Sequence, residues 1–287
     1  MDKAQDELHT GLPELRTDWI GSTTLVEVPL PAKRILEDYA GVPGENIMAH
    51  LDQVRAKALE TYHYPCIGEY RFLDLQITKS PAYPQILSRL RQGARLLDVG
   101  CCIGQELRQL TYDGVESSNL YGIDLFGDFF QVGYDLFRDR DSFRATMLAA
   151  DLFATNNTDL SRLLGTMDVV WSGNLLHLFL WERQRQALLF MRMMLVDSPT
   201  TTIAGRFMGN ANPGEHHYGF RGRTDSMYRH DQQSFKTLCQ EVFDGTGERW
   251  SIDVQAFDWV ETLSLRTVGQ KDDTWTLEIR FVITRLS

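Results

Sequence analysis

A glycine-containing turn after a short apolar run limits the folds open to this chain more than any other stretch. Residues 94–108 read ARLLDVGCCIGQELR, so the apolar run ends in Asp98-Val99 and leads into Gly100 and Gly104. Glycines permit a sharp turn and a close approach of the backbone to a ligand, and the N–H groups of a helix N-terminus suit a nucleotide. The stretch predicts the strand–turn–helix unit that begins a nucleotide-binding, doubly wound sheet.

Strands and helices alternate regularly after this unit. Apolar runs of strand length recur at residues 120–124, 147–151, 167–172 and 201–207. Helical apolar spacing at 128–137 and 181–195 separates them, which predicts crossover connections and a parallel sheet. Residues 210–230 show no periodicity, whereas 252–259 and 275–284 alternate and predict an antiparallel edge hairpin. We therefore expect an α/β fold with a Rossmann-like, doubly wound, mostly parallel seven-stranded sheet.

Residues 1–90 lack this alternation. Prolines interrupt the first half of this segment, where we predict one short strand at 24–28. Apolar positions at helical spacing predict an amphipathic helix over 45–62 and a shorter helix over 83–90. We divide the chain into an N-terminal lead segment with a helical cap, residues 1–90, and a nucleotide-binding domain, residues 91–287.

Composition and charge indicate which kinds of partner and which cellular compartment suit this chain. A net charge of −10 and a pI near 5.2 disfavour nucleic acid, whose phosphates would repel the surface. No apolar run approaches the roughly 18–20 residues of a membrane span, and the N-terminus lacks the apolar core of a signal peptide. Adjacent Cys101 and Cys102, without a C-x-x-C pair, disfavour a disulfide framework and a zinc site. We predict a cytoplasmic protein without a metal ion, whose sheet edges would permit a homodimer.

Acidic residues end three successive predicted strands, at Asp98, Asp124 and Asp151. Ligands of open α/β sheets bind at the carboxyl ends of the strands, so we expect these side chains to converge on one crevice. Asp124 can accept both hydroxyls of a ribose, Asp151 can accept from an adenine amino group, and Asp98 can meet an ammonium or order the turn. Capping of the following helix is the alternative role of each acid taken alone.

The turn itself does not suit phosphates. Dinucleotide-binding turns follow G-x-G-x-x-G, in which the second glycine makes room for the pyrophosphate. The middle glycine is missing between Gly100 and Gly104, and no lysine follows for a P-loop. S-adenosylmethionine, which carries ribose and adenine but no phosphate, fits better, and we predict it as the cofactor. A nicotinamide-dependent oxidoreductase and a non-catalytic regulator with the same fold are the alternatives.

Several stretches resemble known enzymes. Residues 97–104 (LDVGCCIG) resemble motif I of class I S-adenosylmethionine-dependent methyltransferases, and Asp124, Asp151 and residues 168–172 match their second, third and fourth strands. Three stretches are similar to a narrower group, the fungal methyltransferases of meroterpenoid biosynthesis of the austinol and andrastin type: 64–68, 100–110 together with 113–114, and 133–140. That resemblance implies an O-methyltransferase of secondary metabolism that converts the carboxyl group of a farnesylated aromatic polyketide acid to its methyl ester.

The match to motif I and to the strand ends also implies a set of cofactor contacts. We predict them at Asp98, Gly100, Cys102, Gly104, Asp124, Leu125, Asp151, Leu152, Ser172 and Asn174. Cys102 departs from the methyltransferase pattern, which usually places glycine there. Because a side chain disfavours positive φ, we expect either a local change in the turn or a Cys102 side chain that lines the methionine pocket. A reactive thiol at a helix N-terminus is a further alternative.

The methyl acceptor is expected to lie beyond the fourth and fifth strands. Transfer from a sulfonium is an in-line displacement, to which the protein contributes mainly by positioning. A carboxylate, with a pKa of roughly 4, needs a donor that fixes it, whereas a phenol, with a pKa of about 10, benefits from a general base. We predict His177, Arg206 and His217 as catalytic residues, and the alternative role of His177 is that of a buried core histidine.

Two further groups of residues are candidates for the acceptor site. Polar loop residues follow the fifth strand: His216, Tyr218, Arg221 and Arg223. Aromatic residues of the cap would either roof the site or pack as ordinary core: Tyr62, Tyr64, Tyr70 and Phe72. An aromatic roof would suit a prenylated substrate.

Overall fold

The computed structural model describes residues 24–154, 156–217, 226–244, 247–259, 266–268 and 276–287. Its strands are β1 (Thr24–Glu27), β2 (Leu96–Val99), β3 (Leu120–Asp124), β4 (Thr146–Ala149), β5 (Val169–Gly173), β6 (Thr202–Asn210), β7 (Gly214–His217), β8 (Ser226–Arg229), β9 (Trp250–Asp258), β10 (Arg266–Val268) and β11 (Thr276–Arg285). Its α-helices are α1 (Leu30–Arg34), α2 (Ile47–Thr61), α3 (Pro65–Gly68), α4 (Tyr83–Arg91), α5 (Gln105–Tyr112), α6 (Asp128–Phe137), α7 (Thr158–Ser161), α8 (Trp181–Met194) and α9 (Gln232–Phe243). Short turns of other helical types lie at Ile35–Tyr39, Gln76–Lys79 and Leu176–Leu178.

Among these residues, seven strands form a central sheet in the order β4-β3-β2-β5-β6-β11-β9. Strands β2 to β6 pair in parallel, and β11 runs antiparallel between β6 and β9. The predicted mostly parallel, seven-stranded sheet with an antiparallel edge hairpin is confirmed, and β9 is its outer strand. The strand order reverses between β2 and β5, and ligands of open α/β sheets bind outside the strand ends at such a point.

Helices cover both faces of this sheet. Leu96 and Leu97 of β2 belong to different buried clusters, because successive side chains of a strand point to opposite faces. Helices α8 and α9 contribute to the cluster of Leu97, and α4 and α5 contribute to the cluster of Leu96. All four residues of β2 are buried, as is typical of a parallel strand between two helical layers.

The helical cap packs against α6. Apolar side chains of α2, such as Leu51 and Val54, share a buried cluster with Phe129 and Val132 of α6. The aromatic residues of the cap join this cluster, and Tyr62 stacks on Phe126 after β3 with the ring centroids 5.0 Å apart. The cap therefore reaches the loop that follows the second strand of the sheet.

Two small sheets lie outside the central one. Strand β1 pairs with β10, and β7 pairs with β8, with Gly214 opposite Arg229. The β7–β8 pair corrects the interpretation of residues 210–230 as aperiodic, because strands of four residues are too short to show a clear alternation. In the described part of the chain, no helix is long and apolar enough to cross a membrane.

Candidate active site

The glycine turn joins β2 to α5 and is fixed against β3. The N–H groups of Gly100 and Cys101 both donate to the carbonyl of Ile123, at 2.9 and 3.0 Å. Gly100 and Gly104 have φ angles of +79° and +72°, in the left-handed region that favours glycine. A Cβ atom on Gly104 would also lie only 2.5 Å from Nη1 of Arg108. Both glycines are therefore required by backbone conformation, and Gly104 by space as well.

Cys102 adopts a positive φ of +52° despite its side chain. Its N–H donates to Oδ2 of Asp124 at 2.8 Å, and a hydrogen bond to a carboxylate offsets the strain of this conformation. Burial raises the pKa of the Cys102 thiol well above its ordinary value, as it does for Cys101. Both thiols are therefore protonated near neutral pH, which disfavours the reactive-thiol interpretation.

Asp124 connects the glycine turn to the loop after β3. Its second oxygen accepts from the N–H of Phe126 at 3.1 Å. Burial raises the pKa of Asp124, and hydrogen bonds from backbone N–H groups oppose that rise. Each carboxylate oxygen can accept more than one hydrogen bond, so both keep capacity for the hydroxyl groups of a ligand.

Asp98 is the other acid of the turn, and its side chain is buried, with 2% of the residue exposed. Its Oδ2 atom is buried without a hydrogen-bond partner among the described residues. Burial raises the pKa of Asp98 well above its ordinary value, and the carboxylates of Glu106 and Asp124 add to the rise. A buried, unsatisfied oxygen close to two further carboxylates favours a cationic, N–H-bearing ligand.

Asp151 lies two residues beyond the end of β4, next to the end of β3. Unlike Asp98 it is exposed, and its carboxylate accepts from the N–H of Phe153 at 2.9 Å. Leu125 and Leu152, which follow the two strand-end acids, are half-buried. The ends of β3 and β4 thus present exposed and half-buried groups of the kind that an adenosine would contact.

The end of β5 carries the two remaining predicted cofactor residues. Ser172 is buried, and its Oγ has no partner among the described residues. Asn174 follows the strand with a φ of +57°, and its side chain donates to Oε1 of Gln76 in the cap at 3.2 Å. Its backbone N–H donates to the carbonyl of Arg206 at 2.8 Å. Cap, β5 and β6 therefore meet at Asn174.

His177 lies in the short turn after β5, beside the end of β6. Strand β6 continues past the last residue of β5, so Met208 has no partner strand on that side. The N–H of Met208 instead donates to Nδ1 of His177 at 3.5 Å, and its carbonyl accepts from Nη1 of Arg229 at 3.1 Å. Because Nδ1 accepts, we assign the proton of a neutral imidazole to Nε2.

Three arginines affect the charge state of His177, and acids pair with two of them, Arg71 and Arg206. Burial lowers the pKa of His177 well below its ordinary value, so its imidazole is neutral at pH 7. Three guanidinium groups add to this effect, those of Arg229, Arg206 and Arg71. The sequence pattern gave no signal for Arg71 or Arg229, because they come from the cap and from β8, far from His177 along the chain.

Arg206 is enclosed by carboxylates. Only 3% of the residue is exposed, and its guanidinium lies 3.2 Å from Asp74 of the cap and 3.3 Å from Glu278 of β11. Lys79 also pairs with Asp74, and Arg280 also pairs with Glu278. This environment differs from the catalytic role that we predicted for Arg206, because the guanidinium is already engaged by two acids.

Some predicted acceptor residues cannot be placed. The backbone of His217 ends β7, but its side chain lies outside the described residues, as do Tyr218, Arg221 and Arg223. The side chain of His216 is half-buried and contacts the carbonyl of Asn212 at 3.1 Å through Nε2. The role of His217 therefore stays a prediction.

Known proteins are similar to this chain over most of its length. The family model described as the meroterpenoid methyltransferase N-terminal domain matches residues 22–73. O-methyltransferase phiE from Fungal sp. (strain ATCC 74256) is 37% identical over 278 residues, which cover 93% of this chain and 92% of that protein. Asnovolin E/Chermesin D methyltransferase nvfJ from Aspergillus novofumigatus is 37% identical over 78% of this chain and 80% of that protein.

Solved structures share the fold. A phosphoethanolamine N-methyltransferase of Haemonchus contortus, determined with S-adenosyl-L-methionine, matches with a TM-score of 0.50 and 15% identity. The match covers 82% of this chain and 60% of that one, so this chain spans little more than half of that structure. A second structure of that enzyme, with S-adenosylhomocysteine, gives a TM-score of 0.51 at 14% identity over 80% of this chain and 59% of that one. At such low identity the likeness shows the fold alone.

The site and the relatives agree on one chemistry. S-adenosylmethionine carries a ribose, a cationic sulfonium and an ammonium, which suit Asp124 and the buried, unsatisfied oxygen of Asp98. We do not keep the alternatives of an oxidoreductase or a non-catalytic regulator, because the two relatives described above are both named methyltransferases. The chain belongs to the meroterpenoid methyltransferase family: it is a methyltransferase, and S-adenosylmethionine is the methyl donor that fits its site.

Proposed function

We propose that this methyltransferase methylates the carboxylate of a small, partly apolar acid of the meroterpenoid or polyketide type and releases the methyl ester. The observation that carries the proposal is the pair of side chains held by Met208: its N–H donates to Nδ1 of His177, and its carbonyl accepts from Arg229. A carboxylate is already ionised at neutral pH, so what it needs from the protein is a set of donors such as these to orient it. A phenol would benefit from a general base, but Nδ1 of His177 already accepts from Met208, so Nε2 carries the proton and can only donate.

Aromatic groups beside the arginines near His177 support an acceptor that is partly apolar. The guanidinium carbons of Arg71 and Arg206 lie 4.7 and 5.1 Å from the ring centroid of Trp259. Such contacts hold the planar cations while leaving apolar surface near them. The relative from Aspergillus novofumigatus is named for asnovolin E and chermesin D, and we extend only the class, a small apolar natural product, to this chain.

The roles of the acceptor-site residues follow from their contacts. Bound S-adenosylmethionine supplies a methyl group on a positively charged sulfur, so an ionised acceptor needs orientation rather than activation. We assign orientation to His177, whose Nε2–H is free to donate once Met208 has fixed Nδ1. Arg229, anchored on the carbonyl of the same Met208, would contribute charge on the other side of the acceptor. Arg206, held by two carboxylates, would support the site rather than bind the acceptor.

The roles of the cofactor residues follow from the strand ends. We assign the ribose to Asp124 and the ammonium to Asp98, and we place the methionine end along Gly100, Cys102 and Gly104. The adenine would contact Leu125, Asp151 and Leu152, while Ser172 and Asn174 would border the methionine end at β5.

The reaction is tested with an aromatic acid that also carries a phenol and with isotopically labelled S-adenosylmethionine. We expect one labelled methyl group per product and its release by mild alkali, because esters hydrolyse in alkali whereas aryl methyl ethers do not. A labelled product that survives alkali would overturn carboxyl methylation and indicate a hydroxyl acceptor.

The role of His177 is tested with His177→Leu and His177→Gln. We expect His177→Leu to lower kcat/KM for the acid about 10- to 100-fold, since it removes a hydrogen bond to a charged group. His177→Gln, which keeps an N–H donor, should retain more activity. His50→Gln is the matched control, because His50 contacts the carbonyl of Leu136 in α6 at 2.9 Å. Equal activity of His177→Leu and the wild type would exclude the role.

We also propose a cytoplasmic location and allow for a homodimer. All four cysteines lie in the described residues as free thiols, which favours a reducing compartment. Among the residues that the structure describes, the outer strands β4 and β9 have no strand on their outer edge, where a second copy could pair. Fluorescent tagging in the producing cell tests the first proposal, and analytical ultracentrifugation tests the second.

A further inference from the structure

A wholly buried arginine lies against the second half of the glycine turn. Arg108 belongs to α5, and 0% of the residue is exposed. Its Nη1 donates to the carbonyl of Ile103 at 3.0 Å and lies 3.5 Å from the carbonyl of Gly104. These two carbonyls belong to the turn itself, so the position of the guanidinium determines where the turn can lie.

The guanidinium of Arg108 is in turn fixed by Asp139. Nε donates to Oδ2 at 3.0 Å and Nη2 donates to Oδ1 at 3.2 Å, a bidentate arrangement that sets the orientation of the planar group. The ring of Phe143 lies 4.0 Å from the guanidinium carbon and closes one side of the site. A Cβ atom at Gly133 would come within 2.1 Å of the carbonyl of Ile103, so the space around the turn is full. Neither the arginine nor the turn can shift alone.

The cap reaches this pair through Tyr39. Its hydroxyl donates to Oδ2 of Asp139 at 2.9 Å. Burial and the charge of Asp139 raise the pKa of Tyr39 far above its ordinary value, so the hydroxyl remains a donor. Tyr39 lies within residues 22–73, the segment that the meroterpenoid methyltransferase domain matches. The segment therefore contacts the cofactor turn through two intervening side chains.

We propose that Tyr39, Asp139 and Arg108 form a hydrogen-bonded chain through which the N-terminal segment holds the glycine turn in its cofactor-binding geometry. All three are positioning residues that act through the turn. The N-terminal segment then contributes to binding of the methyl donor as well as packing against α6. The inference does not depend on the identity of the methyl acceptor.

Tyr39→Phe tests the chain, because it removes one hydroxyl and keeps the packing of the ring. The dissociation constant of S-adenosylhomocysteine is measured by calorimetry without any acceptor. We expect Tyr39→Phe to raise it about 3- to 10-fold, less than the loss of a direct hydrogen bond to the ligand, because Tyr39 acts on the turn only through two other side chains. Hydrogen exchange of the amides of residues 100–105 should quicken in the cofactor-free protein. If the Tyr39 hydroxyl only stabilised the fold, Tyr39→Phe would lower the melting temperature but leave both the dissociation constant and the hydrogen exchange of residues 100–105 unchanged.

A double-mutant cycle tests whether the residues act in series. Asp139→Asn should weaken cofactor binding at least as much as Tyr39→Phe, and the double variant should be no weaker than Asp139→Asn alone. Additive effects would contradict a chain. Arg108→Lys keeps the charge but not the bidentate geometry, and we expect it to weaken binding more than Tyr39→Phe.

Tyr112→Phe is the matched control. Its hydroxyl also joins α5 to the cap, through Asp38 at 2.8 Å, but on the exposed side of the helix and away from the turn. We expect its dissociation constant for S-adenosylhomocysteine to equal that of the wild type. A value for Tyr39→Phe within twofold of the wild type, or an equal loss in Tyr112→Phe, would overturn the proposal.

Discussion

Cys102 shows how a side chain can stand where methyltransferases usually carry glycine. The left-handed conformation costs a non-glycine residue about 1–2 kcal/mol, and a hydrogen bond to a charged group contributes about 1.5–3 kcal/mol. The bond from Cys102 N–H to Asp124 is of this second kind, at 2.8 Å. Asp124 therefore stabilises the turn, in addition to the ribose contact that we propose for it.

Asp124→Ala is expected to weaken cofactor binding by about 1.5–3 kcal/mol, because charged hydrogen bonds to the ligand are lost. The loss of support for Cys102 adds to this effect, so the value should lie toward the upper end. Calorimetric titration with S-adenosylhomocysteine measures it.

The control for Asp124 is a carboxylate at the opposite end of the sheet. Asp168 precedes β5 and accepts from the N–H of Arg95 at 2.9 Å. Asp168→Asn should leave cofactor affinity unchanged even if it lowers stability. Unchanged affinity in Asp124→Ala would mean that the ribose is held elsewhere.

At the scale of elements, Glu106 joins helix α5 to the cap. Its two oxygens accept from the N–H groups of Gln76 and Ile77, at 2.8 and 2.9 Å. Burial raises the pKa of Glu106 to about 7, although these two hydrogen bonds oppose the rise. The folded state thus binds this proton more tightly than the unfolded state, so the free energy of unfolding falls as pH rises from about 4.5 to about 7.

Glu106→Gln should remove this pH dependence. Between pH 4.5 and 7.5 we expect the wild type to lose about 2–3 kcal/mol of stability relative to the variant, because the pKa of Glu106 is about 7 in the folded protein and 4.5 in the unfolded chain. Urea unfolding of both proteins across this range measures the difference. Glu116→Gln, which changes an exposed glutamate, should follow the wild-type profile. Parallel profiles for Glu106→Gln and the wild type would show that Glu106 does not titrate here.

The elements differ in how far the sequence predicts them. Strand β3 and helix α6 have the predicted bounds, 120–124 and 128–137, because their apolar spacing is clear. The acids at the strand ends were also predictable, because the strand bounds are clear in the sequence and parallel strands bring their ends to one edge of the sheet. The cations around His177 were not, because Arg71 and Arg229 come from separate elements whose packing no local pattern encodes. Sequence therefore indicated the donor side of the site better than the acceptor side.

At the scale of the whole molecule, one ion-pair network joins the cap to the sheet. Asp74 comes from the cap, Arg206 from β6 and Glu278 from β11, and all three are buried. Removing one member of a buried pair leaves its partner's charge without full compensation. Such a removal lowers the free energy of unfolding far more than the loss of an exposed pair does. Arg206 also lies near His177, the residue that we propose orients the acceptor, so we expect the docking of the cap to influence that site.

Asp74→Ala is expected to lower the free energy of unfolding by about 3 kcal/mol, the lower end of the usual range because Glu278 still faces Arg206. Asp135→Asn is the matched control, since Asp135 of α6 pairs with Lys57 of the cap at the surface, where the two side chains are 41% and 50% exposed. We expect that control to change stability by less than about 0.5 kcal/mol. Urea unfolding measures both. If both variants lowered the free energy of unfolding by less than about 0.5 kcal/mol, the ion network would not stabilise the docked cap. The apolar contacts between the cap and α6 would then hold it in place.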